Sequence, residues 1–252
     1  MSTESASDHY SAEEWQTRVN VAALYRLVAL EGWDDLIGTH ISARIPGPKE
    51  HFLLNPYGML FEEITASNLL TIDVEGKQLT DSEYKYNKAG FTIHSAVHMH
   101  RPDAQYVIHL HADYGVAVSC QKDGLLPLNQ TAIAAYSELT YHDYEGVATN
   151  LAERERLVAD LGEKNLMILR NHGTMACGPN AGGVWQAIFR LERACKYQVL
   201  AQSGGGELSH LSQDIIESRA NVSATAALKP RGEFIWPALL RKLDRIDPGY
   251  KT

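Results

Sequence analysis

Eleven histidines stand in this chain of 252 residues, and several fall at spacings that suit a metal ion. His109 and His111 are two apart within YVIHLH. Side chains alternate faces along a strand, so both imidazoles leave one side while Ile108 and Leu110 turn the other way, into a core. Two imidazoles on one side of a rigid strand make half a site for a divalent metal. The same spacing also describes two surface histidines, or a pair hydrogen-bonded within a core. His172 follows the apolar run LMILR and precedes Gly173, at a strand end where a side chain can be offered to a cleft. Taken alone it reads as a turn histidine binding backbone. Taken with the first two, it completes a set of three neutral imidazoles with coordination positions left open, which is what a Lewis-acid site requires.

Other polar residues are weaker candidates. His94 and His98 are four apart in GFTIHSAVHMH, one turn of a helix, which is also metal-capable spacing. His94 is assigned to the second layer of the site or to substrate, and His98 and His100 to solvent or an interface. His40 in GTHISARI, Tyr57 in NPYG and His142 in YHDYEG are further polar candidates. Arg170 leads directly to His172 and has two readings: a bidentate clamp on a substrate carboxylate, or a structural ion pair. Tyr141 and Asp143 belong either to a subunit contact or to a pocket wall. Cys177 reads as a small buried hydrophobe.

Positioning these groups requires a frame. Ser11-Ala12-Glu13-Glu14 has capping-box spacing and predicts a helix over about 12–31, with Trp15, Val19, Ala23, Leu27 and Leu30 at three- and four-residue steps. Trp33, just past Gly32, is expected to plug the end of that helix. Strands are expected at THISARI, HFLLN, LLTIDV, YVIHLH and LMILR. Helices are expected over 90–100, from about 114, and over about 183–202. Strands and helices mix without a strict βαβ rhythm, which points to an α/β layered domain with a mixed or antiparallel sheet. Three segments are expected: a disordered lead-in over 1–10, the metal-binding domain over 11–203, and a flexible joint at SGGG with a C-terminal tail over 204–252. A corner at Trp236-Pro237 is expected within that tail.

Composition narrows the partners. Hydrophobic residues make up 44% and charged residues 21%, ordinary for a globular chain, and the length suits one large core. A net charge of -8 disfavours nucleic acid and anionic membranes as partners and leaves small-molecule substrates open, anionic ones included. Three scattered cysteines make no disulfide framework and suit a reducing compartment. The first residues are polar with no apolar core, and no stretch approaches the about 18 apolar residues of a membrane span. The expected setting is cytoplasmic.

The ordered runs GWDDLIGTHISARI, FLLNPYGMLFEEITASNLL, AGFTIHSAVH, RPDAQYVIHLHADYGVAVS, GLLPLNQ, YHDYEG and LRNHGTMACG resemble the class II aldolase/adducin family over roughly residues 15–200. The resemblance implies a three-layer α/β/α sandwich around a central mixed, mostly antiparallel sheet. It implies a homotetramer with sites at subunit boundaries, and one divalent metal on His109, His111 and His172, zinc first, with manganese or iron as alternatives. It also marks departures. The glutamate that serves the family's aldolases as acid and base falls on Gly90. Their phosphate-binding positions fall on His40, Tyr57-Gly58 and Lys88-Ala89. NPYG, AGFTIHSAVH and YHDYEG are closer to the adducin-like branch. Three functions follow as expectations. The first is a metal-dependent lyase, decarboxylase or aldolase-type, on a small carboxylate or carbonyl compound, hydroxy-aromatic ones included. There His94, Tyr141 or His142 would act as proton donor, and His40, Tyr57 and Arg170 would contact substrate. The second is a non-haem iron oxygenase acting on an aromatic acid. The third is a non-catalytic adducin-like binding module.

Overall fold

Ser11 starts the first helix as its spacing predicts: its Oγ accepts from the Glu14 amide at 3.1 Å. The reciprocal half of the capping box is absent, because the Glu14 carboxylate accepts from Arg18 at 3.0 Å instead. Helix α1 spans Ala12–Glu31 and ends at Gly32, whose φ of 67° supplies the left-handed cap. The computed structural model describes residues 6–47, 50–147, 150–220 and 224–252. Residues 1–5 of the expected lead-in lie outside the described residues. Its remainder forms a 3-10 turn at Ala6–His9, and Tyr10 stacks on Trp15.

Seven strands form one sheet among the described residues: β1 (His40–Arg44), β2 (His51–Leu54), β3 (Leu70–Asp73), β4 (Tyr106–Leu110), β5 (Leu139–His142), β6 (Leu166–Leu169) and β7 (Gly173–Gly178). Their order is β3-β2-β1-β4-β7-β6-β5. Every neighbouring pair is antiparallel except β5 and β6, which are parallel. Helices α2 (Lys88–His100) and α5 (Glu153–Leu161) cover one face, over Val107, Met167 and Met175. On the other face lie α1, α3 (Asp113–Ser119), α4 (Gln130–Tyr136), α6 (Ala181–Ser203) and α8 (Ala224–Ile246), over Ile108, Leu110, Ile168 and Ala176. This is the three-layer sandwich with a mixed, mostly antiparallel sheet. Trp33 closes the end of α1 against Trp185 and Phe189 of α6, with ring centroids 5.7 Å away in each case.

Period-two alternation puts Tyr106, Ile108 and Leu110 of β4 into the α1/α6 core and leaves Val107 and His109 for the α2 side. The strand stops at Leu110, one residue short of the expected end, since α3 begins at Asp113. Strand β7 was not anticipated, because Gly-Thr-Met-Ala-Cys-Gly carries little strand propensity. Position 173 needs its glycine: a Cβ there would stand 2.3 Å from the Leu110 carbonyl oxygen. Past an irregular stretch over 204–212 the C-terminal segment is helical, with α7 (Gln213–Ala220) and then α8. Helix α8 runs through Trp236-Pro237, where the sequence suggested a corner, and Trp236 Nε1 donates to Asn20 at 3.1 Å. Leu243 and Tyr250 are buried in the larger core, and the amides of Ala66 and Ser67 donate to the carbonyls of Tyr250 and Thr252. No helix among the described residues is long and apolar enough to cross a membrane.

Candidate metal centre

The sheet register aligns the key groups. His40 on β1 pairs with His109 on β4, and His109 pairs with Met175 on β7, so His40 and His109 lie side by side on one face. Their rings are 5.0 Å apart between centroids. His111 continues the same face just past the strand. His172 comes from the three-residue link between β6 and β7, where Leu169 pairs with Gly173. Asn171 holds a left-handed φ of 56° there, a conformation asparagine tolerates, and its amide donates to the Ser119 carbonyl. One nitrogen from each of His109, His111 and His172 falls within 4.8 Å of the others.

The opposite ring nitrogens decide what this cluster can do. His109 Nδ1 donates to the Thr174 carbonyl at 3.0 Å, and His111 Nδ1 donates to Asp35 Oδ2 at 2.8 Å. Each Nε2 is thereby left with a lone pair, and the two lie 3.1 Å apart. Outer partners that fix the tautomer and aim the free nitrogen are characteristic of metal-ligating histidines. Burial, then the neighbouring His172 and His40, pushes His109 well below the ordinary histidine range. Burial, then His111, lowers His172 to about 4. His109 and His172 are thereby neutral at physiological pH, the state in which imidazole binds a metal. The residues present therefore fit a divalent ion.

Behind the triad runs a buried polar chain. His40 Nδ1 and His94 Nε2 share a hydrogen bond at 2.8 Å, His94 Nδ1 meets Ser42 Oγ, and Ser42 Oγ meets His98 Nε2 at 2.7 Å. All four residues are buried. His98 is thus neither solvated nor at a free surface, contrary to the sequence reading. Desolvation drives all three histidines down, His98 to about 3. His40 stands between His94 and His109, with centroid distances of 4.8 and 5.0 Å.

The remaining candidates stand outside the triad, with His142 near enough to His172 to help lower it. Tyr141 points to the α1/α6 face, away from His109, and its hydroxyl accepts from the Leu125 amide at 3.0 Å. Arg170 lies over the Tyr141 ring at 4.5 Å and faces Asp143 at 3.5 Å, which is the structural ion pair of its two readings. His142 is buried with Nδ1 2.7 Å from Asp160 and Nε2 3.6 Å from Glu153, so carboxylates face both ring nitrogens. Tyr57 is an exposed turn residue whose amide donates to the Lys85 carbonyl. Cys177 is fully buried, and burial lifts its thiol to about 12. Sequence reasoning missed Asp35, Ser42, Thr174 and Tyr144, whose exposed ring stands 6.3 Å from that of His172. Ser42 was accessible to it, being two residues from His40 and therefore on the same face of β1. Asp35 sits 76 residues from its partner, with no local signal to join them.

Residues 19–199 match the family model for the class II aldolase and adducin N-terminal domain. A provisionally named aldolase class 2 protein of Caulobacter vibrioides is 55% identical over 98% of this chain and 96% of its own. Alpha-adducin of Rattus norvegicus is 37% identical over 96% of this chain, which spans 35% of that longer protein. Among solved structures, an aldolase II superfamily protein from Pseudomonas syringae superposes with a TM-score of 0.90 at 47% identity, covering 99% of this chain and 100% of that one. An L-fuculose 1-phosphate aldolase from Glaciozyma antarctica shares the fold, with a TM-score of 0.83 at 24% identity, covering 100% and 96%.

Proposed function

Because the chain belongs to the class II aldolase and adducin family, we propose that it is a metal-dependent carbon–carbon lyase acting on a small carboxylate or carbonyl compound, with one divalent ion, zinc first, on His109, His111 and His172. The carrying observation is the pair of Nε2 atoms facing each other at 3.1 Å while each ring's Nδ1 is engaged elsewhere. A divalent ion bound there supplies Lewis-acid stabilisation for the negative charge that develops on a substrate oxygen as a carbon–carbon bond breaks.

The chain's own residues handle the proton. The aldolase acid/base position falls on Gly90 by resemblance, and a Cβ at Gly90 would stand 2.6 Å from Cδ2 of His40. The His40 ring therefore fills the space into which a side chain from position 90 would project. In this reading His40 gives or takes the substrate-side proton, and His94 holds its orientation through their shared hydrogen bond. Ser42 and His98 extend the buried path. Tyr141 and His142, both engaged elsewhere, yield the proton-donor role to His40. Tyr144, exposed beside His172, offers an aromatic wall to a flat substrate such as a hydroxy-aromatic acid. The homotetramer and the cytoplasmic setting belong to the same proposal.

The test begins with elemental analysis of the purified protein. The chelator-stripped protein is then reconstituted with zinc, manganese or iron(II) and assayed for CO₂ release from hydroxy-aromatic acids and for aldol cleavage of small hydroxy-carbonyl compounds. Metal-dependent CO₂ or carbonyl product is expected. Bound metal with no turnover on either panel would favour the second reading, a binding module, which rests on the likeness to alpha-adducin along 96% of this chain. Oxygen uptake with iron alone would point instead to an oxygenase.

A further inference from the structure

Glu192 is a carboxylic acid in the middle of α6 that stays buried at 3% exposure, and no ion pair joins it to a cation among the described residues. A group of this kind is costly to bury unless its oxygens are engaged. Thr174 Oγ1 donates to Glu192 Oε1 at 2.5 Å, and the Gly115 backbone packs against the same carboxylate with its N–H favouring the charged form. Gly115 has no room for a side chain, because a Cβ there would lie 2.5 Å from Oε1 and 2.8 Å from Oε2. Burial lifts the carboxyl to about 7 against these two contacts.

The two partners lie beside the metal centre on both of its chain segments. Thr174 is two residues past His172, pairs with Leu110 in the sheet, and carries the carbonyl that accepts from His109 Nδ1. Gly115 lies in the first turn of α3, four residues past His111. We infer that Glu192 is a positioning residue for the metal centre: one buried carboxyl that fixes the Thr174 peptide behind His109 and ties the β7 segment to the chain leaving His111. This inference rests on the proposed metal site. Glu192 does not touch the triad in this arrangement. It acts through the carbonyl that sets the His109 tautomer and ring plane.

The test measures zinc affinity by chelator competition, the visible spectrum of the cobalt-substituted protein, and the thermal midpoint of the metal-free protein. The variants are Glu192→Gln, Glu192→Leu, Thr174→Val and the Thr174→Val/Glu192→Leu pair. Glu192→Gln keeps an acceptor for Thr174 and is expected to stay within about threefold of the parent in zinc affinity. Glu192→Leu and Thr174→Val are expected to lose about ten- to a hundredfold and to alter the cobalt spectrum. In the double variant the Thr174 hydroxyl goes with its acceptor and only the Gly115 N–H is left unmatched, so the thermal midpoint partly recovers while affinity stays low. Parent-like affinity and spectrum in Glu192→Leu, or affinity that recovers in step with the midpoint, would overturn the inference and leave only a packing role. A parent protein that takes up neither zinc nor cobalt would instead overturn the metal site beneath it.

Discussion

At the scale of single residues, two contacts separate holding a metal from using it. Asp35 accepts from His111 Nδ1 at 2.8 Å and is itself half exposed, at 54%. Asp35→Asn removes the charge while keeping an acceptor, so the loss should fall at the low end for an outer partner, about tenfold in zinc affinity by chelator competition. Gly90→Ala tests the other contact. Its new methyl would meet the His40 ring at 2.6 Å and push it from its place beside His109. Metal content by elemental analysis should stay at the parent level while kcat falls by about a hundredfold, the usual worth of a displaced proton donor. Equal turnover in Gly90→Ala would remove His40 from the mechanism.

At the scale of elements, the proposed ligands are set by a strand and a hairpin whose backbones pack closely beside the site. Gly173 opens β7 with its would-be Cβ 2.3 Å from the Leu110 carbonyl oxygen and 3.0 Å from His111 Cδ2. Gly173→Ala therefore has to part β4 from β7 between two ligands. Zinc binding should be lost, and thermal unfolding should show a destabilisation of about 2 kcal/mol or more, as for overpacking in a core. The same pair of elements shows what the sequence could and could not reveal. Strand β4 was legible because Tyr106, Ile108 and Leu110 alternate with Val107 and His109, and that alternation alone places both histidines on one face. Strand β7 was not, since small residues and glycines erase the pattern; what makes it a strand is pairing on both edges, with β4 and β6. Helices α4 and α5 and strand β5 were likewise missed. The triad itself was legible, as two same-face histidines plus one at a strand end. Its supports Asp35, Thr174 and Glu192 were not, because each meets its partner only through the fold. Tyr141 misled for a related reason: it neighbours His142 in sequence but points to the opposite face of the sheet.

At the scale of the whole molecule, the C-terminal helix and the buried histidines determine how the fold responds to truncation and to acid. Helix α8 meets α6 where Gly182 and Gly232 touch: a Cβ on Gly182 would stand 2.4 Å from the Gly232 carbonyl oxygen. Ending the chain at Gly204 would uncover the core around Leu243 and Tyr250, each worth about 2–3 kcal/mol in buried apolar surface, so the shortened protein should melt far below the full chain in calorimetry or aggregate. Acid acts through a different balance. His40, His94 and His109 are held well below the ordinary histidine range, His98 at about 3 and His172 at about 4, with burial the leading cause in each case. The unfolded chain takes up protons on these five rings near pH 6.5, while the folded chain does not until much lower. Between about pH 6.5 and 4 the unfolded state therefore binds more protons, and stability must fall as pH falls, by up to about 1.4 kcal/mol per pH unit for each ring. Glu192 opposes this with a single group. Its folded value of about 7 lies above the 4.5 of an ordinary glutamate, so it contributes stability that grows as pH falls through that window. Five rings against one carboxyl give a net loss. The thermal midpoint of chelator-treated protein should drop steadily from pH 6.5 to 4.5 and change little between 7.5 and 8.5, and a midpoint that held level down to pH 4.5 would mean that the histidine chain is not buried neutral.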